Sequence, residues 1–180
     1  DVVASPDSTR VYVAHYYGYG GYELKSVSVL DANAKTVIGS PVPVSIVPRQ
    51  LVVSPDSRRL YVLDGLSGYV SVIDTFSRTV TGTISVGAFD EVQISSDGSR
   101  MYLGSITSTR VQVLDTTATV PSVLAPISVP GNNYAAEMAL SPDGRRLYVA
   151  MATGRLSVID TATRTVVANA DYGGNPTLMT

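Results

Sequence analysis

The side chains best able to do chemistry recur at one place in this sequence. Asp1, Gln50, Glu91 and Glu137 each stand four residues before a serine (Ser5, Ser54, Ser95, Ser141) that opens a turn of one type, and Asp90 adjoins Glu91. Carboxylates delivered to one spot by successive segments would bind a hard cation such as Ca²⁺, or a cationic ligand, because anionic oxygen donors are what such ions take. Asp1, Asp90, Glu91 and Glu137 are therefore candidate metal ligands. The competing reading is a set of polar residues on a wet surface. A second group is the run His15-Tyr16-Tyr17-Gly18-Tyr19-Gly20-Gly21-Tyr22-Glu23. Tyrosine alternating with glycine makes an adaptable, amphipathic surface of the kind binding loops use. His15, Tyr16, Tyr17, Tyr19 and Tyr22 are thus candidate contacts for a protein or small ligand. The competing reading is a plain hairpin extension, which loops tolerate readily.

Catalytic templates fit poorly. A Ser-His-Asp triad would need His15, the only histidine, and no serine sits in a nucleophile elbow. Cysteine is absent, which removes disulfides, thiolate metal sites and a cysteine nucleophile. Gly18, Gly20 and Gly21 lack the strand-to-helix setting of a dinucleotide fingerprint. A pair of carboxylates such as Glu91 with Glu137 could serve acid–base hydrolysis, although no local motif supports it.

The elements that must position these residues repeat four times. Ser5-Pro6-Asp7-Ser8, Ser54-Pro55-Asp56-Ser57, Ser95-Ser96-Asp97-Gly98 and Ser141-Pro142-Asp143-Gly144 each precede a β-favouring run centred on Tyr12, Tyr61, Tyr102 or Tyr148. A second run follows each: Val27 to Asp31, Val70 to Thr75, Val111 to Thr116 and Leu156 to Thr161. A third begins at Arg78-Thr79-Val80 and again at Arg164-Thr165-Val166, and short apolar runs such as Leu51-Val52-Val53 lead into the turns. The four tyrosines lie 49, 41 and 46 residues apart. Four short strands per unit at that period predict an all-β propeller with four-stranded antiparallel blades, and exclude a β-solenoid, whose period is shorter. Blades are expected at about 1–47, 48–88, 89–134 and 135–176, within one array over 1–180. Pro fixes φ in the turns, Asp bonds backbone amides and Gly accepts positive φ. Eight of the fifteen acids, Asp7, Asp56, Asp97, Asp143, Asp31, Asp74, Asp115 and Asp160, are accordingly turn formers.

These residues resemble the YVTN-type β-propeller repeat family. Its Tyr-Val pair, Ser-Pro-Asp-Gly turn and Val-Ser-Val-Ile-Asp-Thr strand stand most completely in residues 137–167. The resemblance implies blades around a channel, in bacterial or archaeal envelope and surface proteins, hence an extracytoplasmic location. It implies no single activity, since propellers host enzymes, binders and scaffolds alike.

The segment Pro176-Thr177-Leu178-Met179-Thr180 matches Pro48-Arg49-Gln50-Leu51-Val52, so 177–180 is expected to begin a further inner strand. Four blades of a longer array are then expected, and the piece alone is expected to self-associate to complete a ring. No basic and apolar leader opens the chain, as if one had been removed or the chain were excised. A net charge of −2 gives no reason to expect nucleic acid, and no stretch approaches the roughly 18 apolar residues of a membrane span. The functional expectation is a non-catalytic binding or scaffold module using the channel mouth and the 15–25 loop. The alternative is a propeller hydrolase or lactonase with a divalent ion on the mouth carboxylates.

Overall fold

Each repeat opens with a turn closed by its own side chains. Ser5 Oγ donates to Asp7 Oδ1 at 2.6 Å and accepts the Arg10 amide at 3.0 Å, while Asp7 Oδ1 takes the Thr9 amide at 3.0 Å. The hydroxyl-to-carboxylate bond returns from Ser54 to Asp56, from Ser95 to Asp97 and from Ser141 to Asp143, at 2.5, 2.6 and 2.6 Å. The fourth turn residues, Ser8, Ser57, Gly98 and Gly144, all hold φ between 59° and 70°. Glycine adopts that conformation freely, whereas the two serines do so at a cost.

The computed structural model describes residues 1–19, 22–105, 107–130 and 135–173. The turns connect four sheets. The first blade contains β1 (Val2–Ala4), β2 (Arg10–Tyr19), β3 (Tyr22–Asp31) and a broken outer strand, β4 (Thr36–Val37) with β5 (Val42–Pro43). The second contains β6 (Gln50–Val53), β7 (Arg59–Asp64), β8 (Tyr69–Asp74) and β9 (Thr79–Ser85). The third runs β10 (Glu91–Ile94), β11 (Arg100–Gly104), β12 (Arg110–Asp115) and β13 (Ser122–Ser128). The fourth runs β14 (Ala135–Leu140), β15 (Arg146–Met151), β16 (Arg155–Asp160) and β17 (Thr165–Asp171). Consecutive strands pair antiparallel within each sheet, except that β4 and β5 both pair with β3, and the described residues contain no helix. This is the all-β, four-stranded-blade architecture expected from the repeats.

The blades form two compact units, Asp1–Ala88 and Phe89–Thr180, each of two blades. In the first, Tyr12, Val27, Val29, Leu51, Val53, Leu60 and Val62 share one core. In the second, Tyr102, Val111, Val113, Met138, Leu147 and Val149 do the same. Middle strands such as β7 and β8 are buried on both faces, which suits their nearly continuous apolar sequence; the outer strands β9 and β17 are mostly exposed. Tyr12, Tyr61 and Tyr102 are buried, but Tyr148 keeps 37% of its surface.

Within the stretch expected as a 15–25 loop, the described residues 15–19 and 22–25 are strand, as the competing hairpin extension has it. The β2–β3 ladder continues through Tyr16↔Lys25 and Tyr17↔Leu24 to Tyr19↔Tyr22. Tyrosine favours strands, and a long antiparallel pair satisfies backbone groups that a loop would leave to water. The inner strand expected over 177–180 lies outside the described residues.

Candidate functional site

In every blade the Ser-x-Asp turn lies at one edge and the hairpin between the second and third strands at the other. Three residues beyond the repeat tyrosines, at the hairpin edge, stand His15, Asp64, Ser105 and Met151. The repeat leaves this position unassigned, and Asp64 is its most unusual occupant. Its carboxylate is only 2% exposed, the condition under which an ion must find partners. Arg49 Nε lies 3.3 Å from Asp64 Oδ1, and the Ser67 amide donates to the same oxygen at 3.4 Å. Arg49 itself is 48% exposed, so the ion pair bridges core and solvent.

Asp64 forms part of a cleft of about 310 Å³ between the first two blades, with Lys25, Ile46, Ser67, Tyr69 and Thr83 on its walls. An acid, a base, hydroxyls and an aliphatic wall together can orient a polar ligand from several sides. Lys25 belongs to β3, so the cleft and the long hairpin are one continuous surface. Sequence reasoning missed Asp64 because it aligned the positions before each turn. Aligning the positions after each tyrosine would have exposed it.

On that hairpin His15 Nε2 lies 2.9 Å from Ser28 Oγ, which ties the ring to its own sheet. Tyr16 is 51% exposed and Leu24 is exposed as well. Tyr17, Tyr19 and Tyr22 have their backbones in the ladder. Their side chains lie outside the described residues.

The acidic candidates have separate duties. Asp1 Oδ2 accepts the Leu51 amide at 2.8 Å, strapping the first blade to the inner strand of the second, and Oδ1 accepts the Val2 amide at 2.8 Å. Gln50 opens β6 opposite Leu63. Asp90 donates its amide to the Gly104 carbonyl at 2.8 Å and accepts from Ser105 Oγ at 3.4 Å. Glu91 and Glu137, on β10 and β14, come near enough to repel. Burial pushes the Glu91 carboxyl above its ordinary value; Gln93, donating at 3.2 Å, works against that rise, and the Glu137 charge adds to it. Among the described residues, no group of three or more Asp, Glu or His side chains could hold a metal ion.

The turn aspartates are held in the opposite direction. Hydroxyl donation from Ser5, Ser95 and Ser141 keeps Asp7, Asp97 and Asp143 below the usual carboxylate range. The Ser77 amide does so for Asp74, and the Thr163 amide for Asp160. They are built as acceptors, which is why they serve turns.

Comparison with solved structures places this architecture. The chain superposes on Kuenenia stuttgartiensis hydrazine synthase with a TM-score of 0.76 and 27% identity, covering 96% of this chain and 48% of that one. It superposes on the β-propeller domain of Myceliophteria thermophila Cps50 (Swd1) with a TM-score of 0.75 and 14% identity, covering 97% of this chain and 55% of that one. The chain thus spans about half the length of these two chains. No family model and no curated protein sequence matches it, so the YVTN-type resemblance rests on the repeat motifs alone.

Proposed function

We propose that this propeller segment is a non-catalytic recognition module that takes its partner on the hairpin edge of the first unit. The observation that carries the reading is the β2–β3 hairpin, which outruns the hairpin of the second blade and joins the Asp64 cleft through Lys25. Tyr16, exposed on a paired strand, is an aromatic contact held at little entropic cost. The cleft beside it supplies oriented charge. The repeat resemblance adds a bacterial or archaeal extracytoplasmic setting.

Peptide and glycan arrays probed with the wild-type chain, Tyr16→Ser and Asp64→Asn test this. Array features bound by wild type should be lost in Tyr16→Ser, whose exposed position spares the fold. Binding indifferent to both substitutions, or no bound feature at all, would refute the hairpin edge as the recognition surface.

A hydrolase or lactonase is the second reading, favoured by the raised carboxyl of Glu91 beside Glu137, since an acid catalyst needs such an environment. Metal-dependent turnover of a lactone and ester panel, abolished in Glu91→Gln, would put this reading first.

A further inference from the structure

In the second unit a cleft of about 590 Å³ opens between the third and fourth blades at the turn edge, against about 390 Å³ at the matching place in the first unit. The difference has a local cause. In the first unit Arg78 Nη1 donates to the Ile38 carbonyl of the neighbouring blade at 2.6 Å. Arg164 is the same residue of the same turn. Arg78 and Arg164 have φ of 56° and 57°, and their amides bond the carbonyls of Asp74 and Asp160 at 2.8 Å.

The carbonyl that would receive Arg164 belongs to Leu124. Ile38 donates its amide to the Val29 carbonyl, and Val113, the counterpart of Val29, pairs with Leu124. Gln112 Nε2 already occupies the Leu124 oxygen at 2.6 Å. Glutamine stands there where the other three blades have Ser28, Ser71 and Ser157. The next residue differs too. Gly39 leaves room for Arg78, since a Cβ added there would sit 2.3 Å from Nη1, whereas the residue after Leu124 is Ala125. Arg164 is therefore exposed on the cleft wall, and among the described residues its guanidinium has no acceptor.

The cleft also contains Tyr102, Ser96 and three carboxylates. Asp97 is fixed by Ser95 and Ser99, Asp115 by Thr117 and Arg100, and Asp143 by Ser141 and the Arg145 amide. Each carboxylate has room for about four hydrogen bonds, so Asp97 and Asp143 can still accept from a ligand. A guanidinium with its donors unclaimed, lining the same cleft as fixed carboxylates, suits a molecule carrying one acid and one hydrogen-bond donor. Polyphosphates and other dense anions would be repelled by the three aspartates.

We propose that this cleft binds a small hydroxy- or amino-carboxylate, the ligand's acid on Arg164 and its hydroxyl or ammonium toward Asp97 and Asp143. This site is independent of the hairpin-edge surface, and the two succeed or fail separately.

Isothermal titration calorimetry with L-lactate and L-alanine tests it, with propionate as the acid lacking a donor. Saturable binding of lactate or alanine is expected, at least about tenfold weaker in Arg164→Gln, which corresponds to 1.4 kcal/mol. Thermal unfolding of Arg164→Gln should match wild type, as befits an exposed side chain. The double variant Gln112→Ser with Ala125→Gly frees the Leu124 carbonyl and the space beside it for Arg164, so it should weaken binding while raising the melting temperature. Absence of saturable heat, binding undiminished in Arg164→Gln, or propionate bound as tightly as lactate would each overturn the assignment.

Discussion

The same repeat makes two different blade seams. In the first unit polar groups stitch the blades together: Arg10 Nη1 donates to the Thr75 carbonyl at 2.7 Å, and Asp1 takes the Leu51 amide. Arg78 reaches Ile38, and the Asp7 amide donates to Ser57 Oγ at 3.2 Å. In the second unit the matching groups turn inward. Arg100 pairs with Asp115 at 3.0 Å and with the Ser99 carbonyl at 2.8 Å, both in its own blade. Glu91, in the place of Asp1, bonds Gln93, and Arg164 stays unclaimed. Both seams bury a repeat tyrosine among valines and leucines. The apolar faces thus make blades stack, while the polar margin decides how large a cleft the seam keeps.

The largest effect should come from the part the seams share. Tyr12→Ala and Tyr102→Ala should each cost about 3–5 kcal/mol, as truncation of a large buried ring does. Tyr148→Ala, at 37% exposure, should cost roughly 1 kcal/mol. Urea unfolding measures all three. If Tyr102→Ala resembled Tyr148→Ala, the second seam would be loosely packed, and the comparison above would be wrong at its base.

The polar margin gives the next effect. Arg78→Ala removes a charge-assisted bond to a carbonyl in the neighbouring blade, worth about 1.5–3 kcal/mol. Arg164→Ala removes no such bond and should stay within about 0.5 kcal/mol of wild type. Equal losses in the same urea experiment would show that Arg164 has a partner in solution after all.

These contrasts explain what could be read in advance. The blades were legible because each turn is a local device: Ser54, Asp56 and the Arg59 amide close one another within five residues, so the signal survives in a short string. Strand starts at Gln50, Glu91 and Arg146 follow directly. The long hairpin was legible only as one of two readings, because Gly18 among the tyrosines looks like loop, while the cross-strand pairing of Gly18 with Glu23 overrides that local preference. The break between β4 and β5 also went unforeseen, although Gly39 with φ of 63° and Pro41 mark it. Asp64 is visible in any alignment of the repeats, but its burial and its pairing with Arg49 are tertiary facts. The open seam lay in plain sight as Gln112 in a column of serines. Its meaning depends on which carbonyl a glutamine can reach, and periodicity does not encode that.

The smallest predicted effect concerns Asp1 and Glu91, which share one repeat position and behave oppositely. Asp1 straps two blades through a backbone amide. Glu91 is half-buried, and burial foremost, with the charge of Glu137, raises its carboxyl above the ordinary value of 4.5. Below that ordinary value both folded and unfolded chains hold the proton, and Glu91 leaves stability unchanged. As pH rises through it, the unfolded chain releases the proton first, so stability falls until the folded carboxyl has ionised too. The turn aspartates run the other way: Asp97, lowered chiefly by Ser95, contributes stability above the usual carboxylate range that is lost as pH falls through its lowered value. Glu91→Gln should therefore be slightly more stable than wild type at neutral pH, by no more than about 0.5 kcal/mol because water screens a half-exposed group. At strongly acid pH the two should melt together, and Glu137→Gln should shrink the neutral-pH gain by removing the repelling charge. Melting temperatures of the single and double variants across that range decide it. A neutral-pH loss in Glu91→Gln would mean that the ionised carboxylate makes a stabilising contact, and that both seams are strapped by the acid at this position.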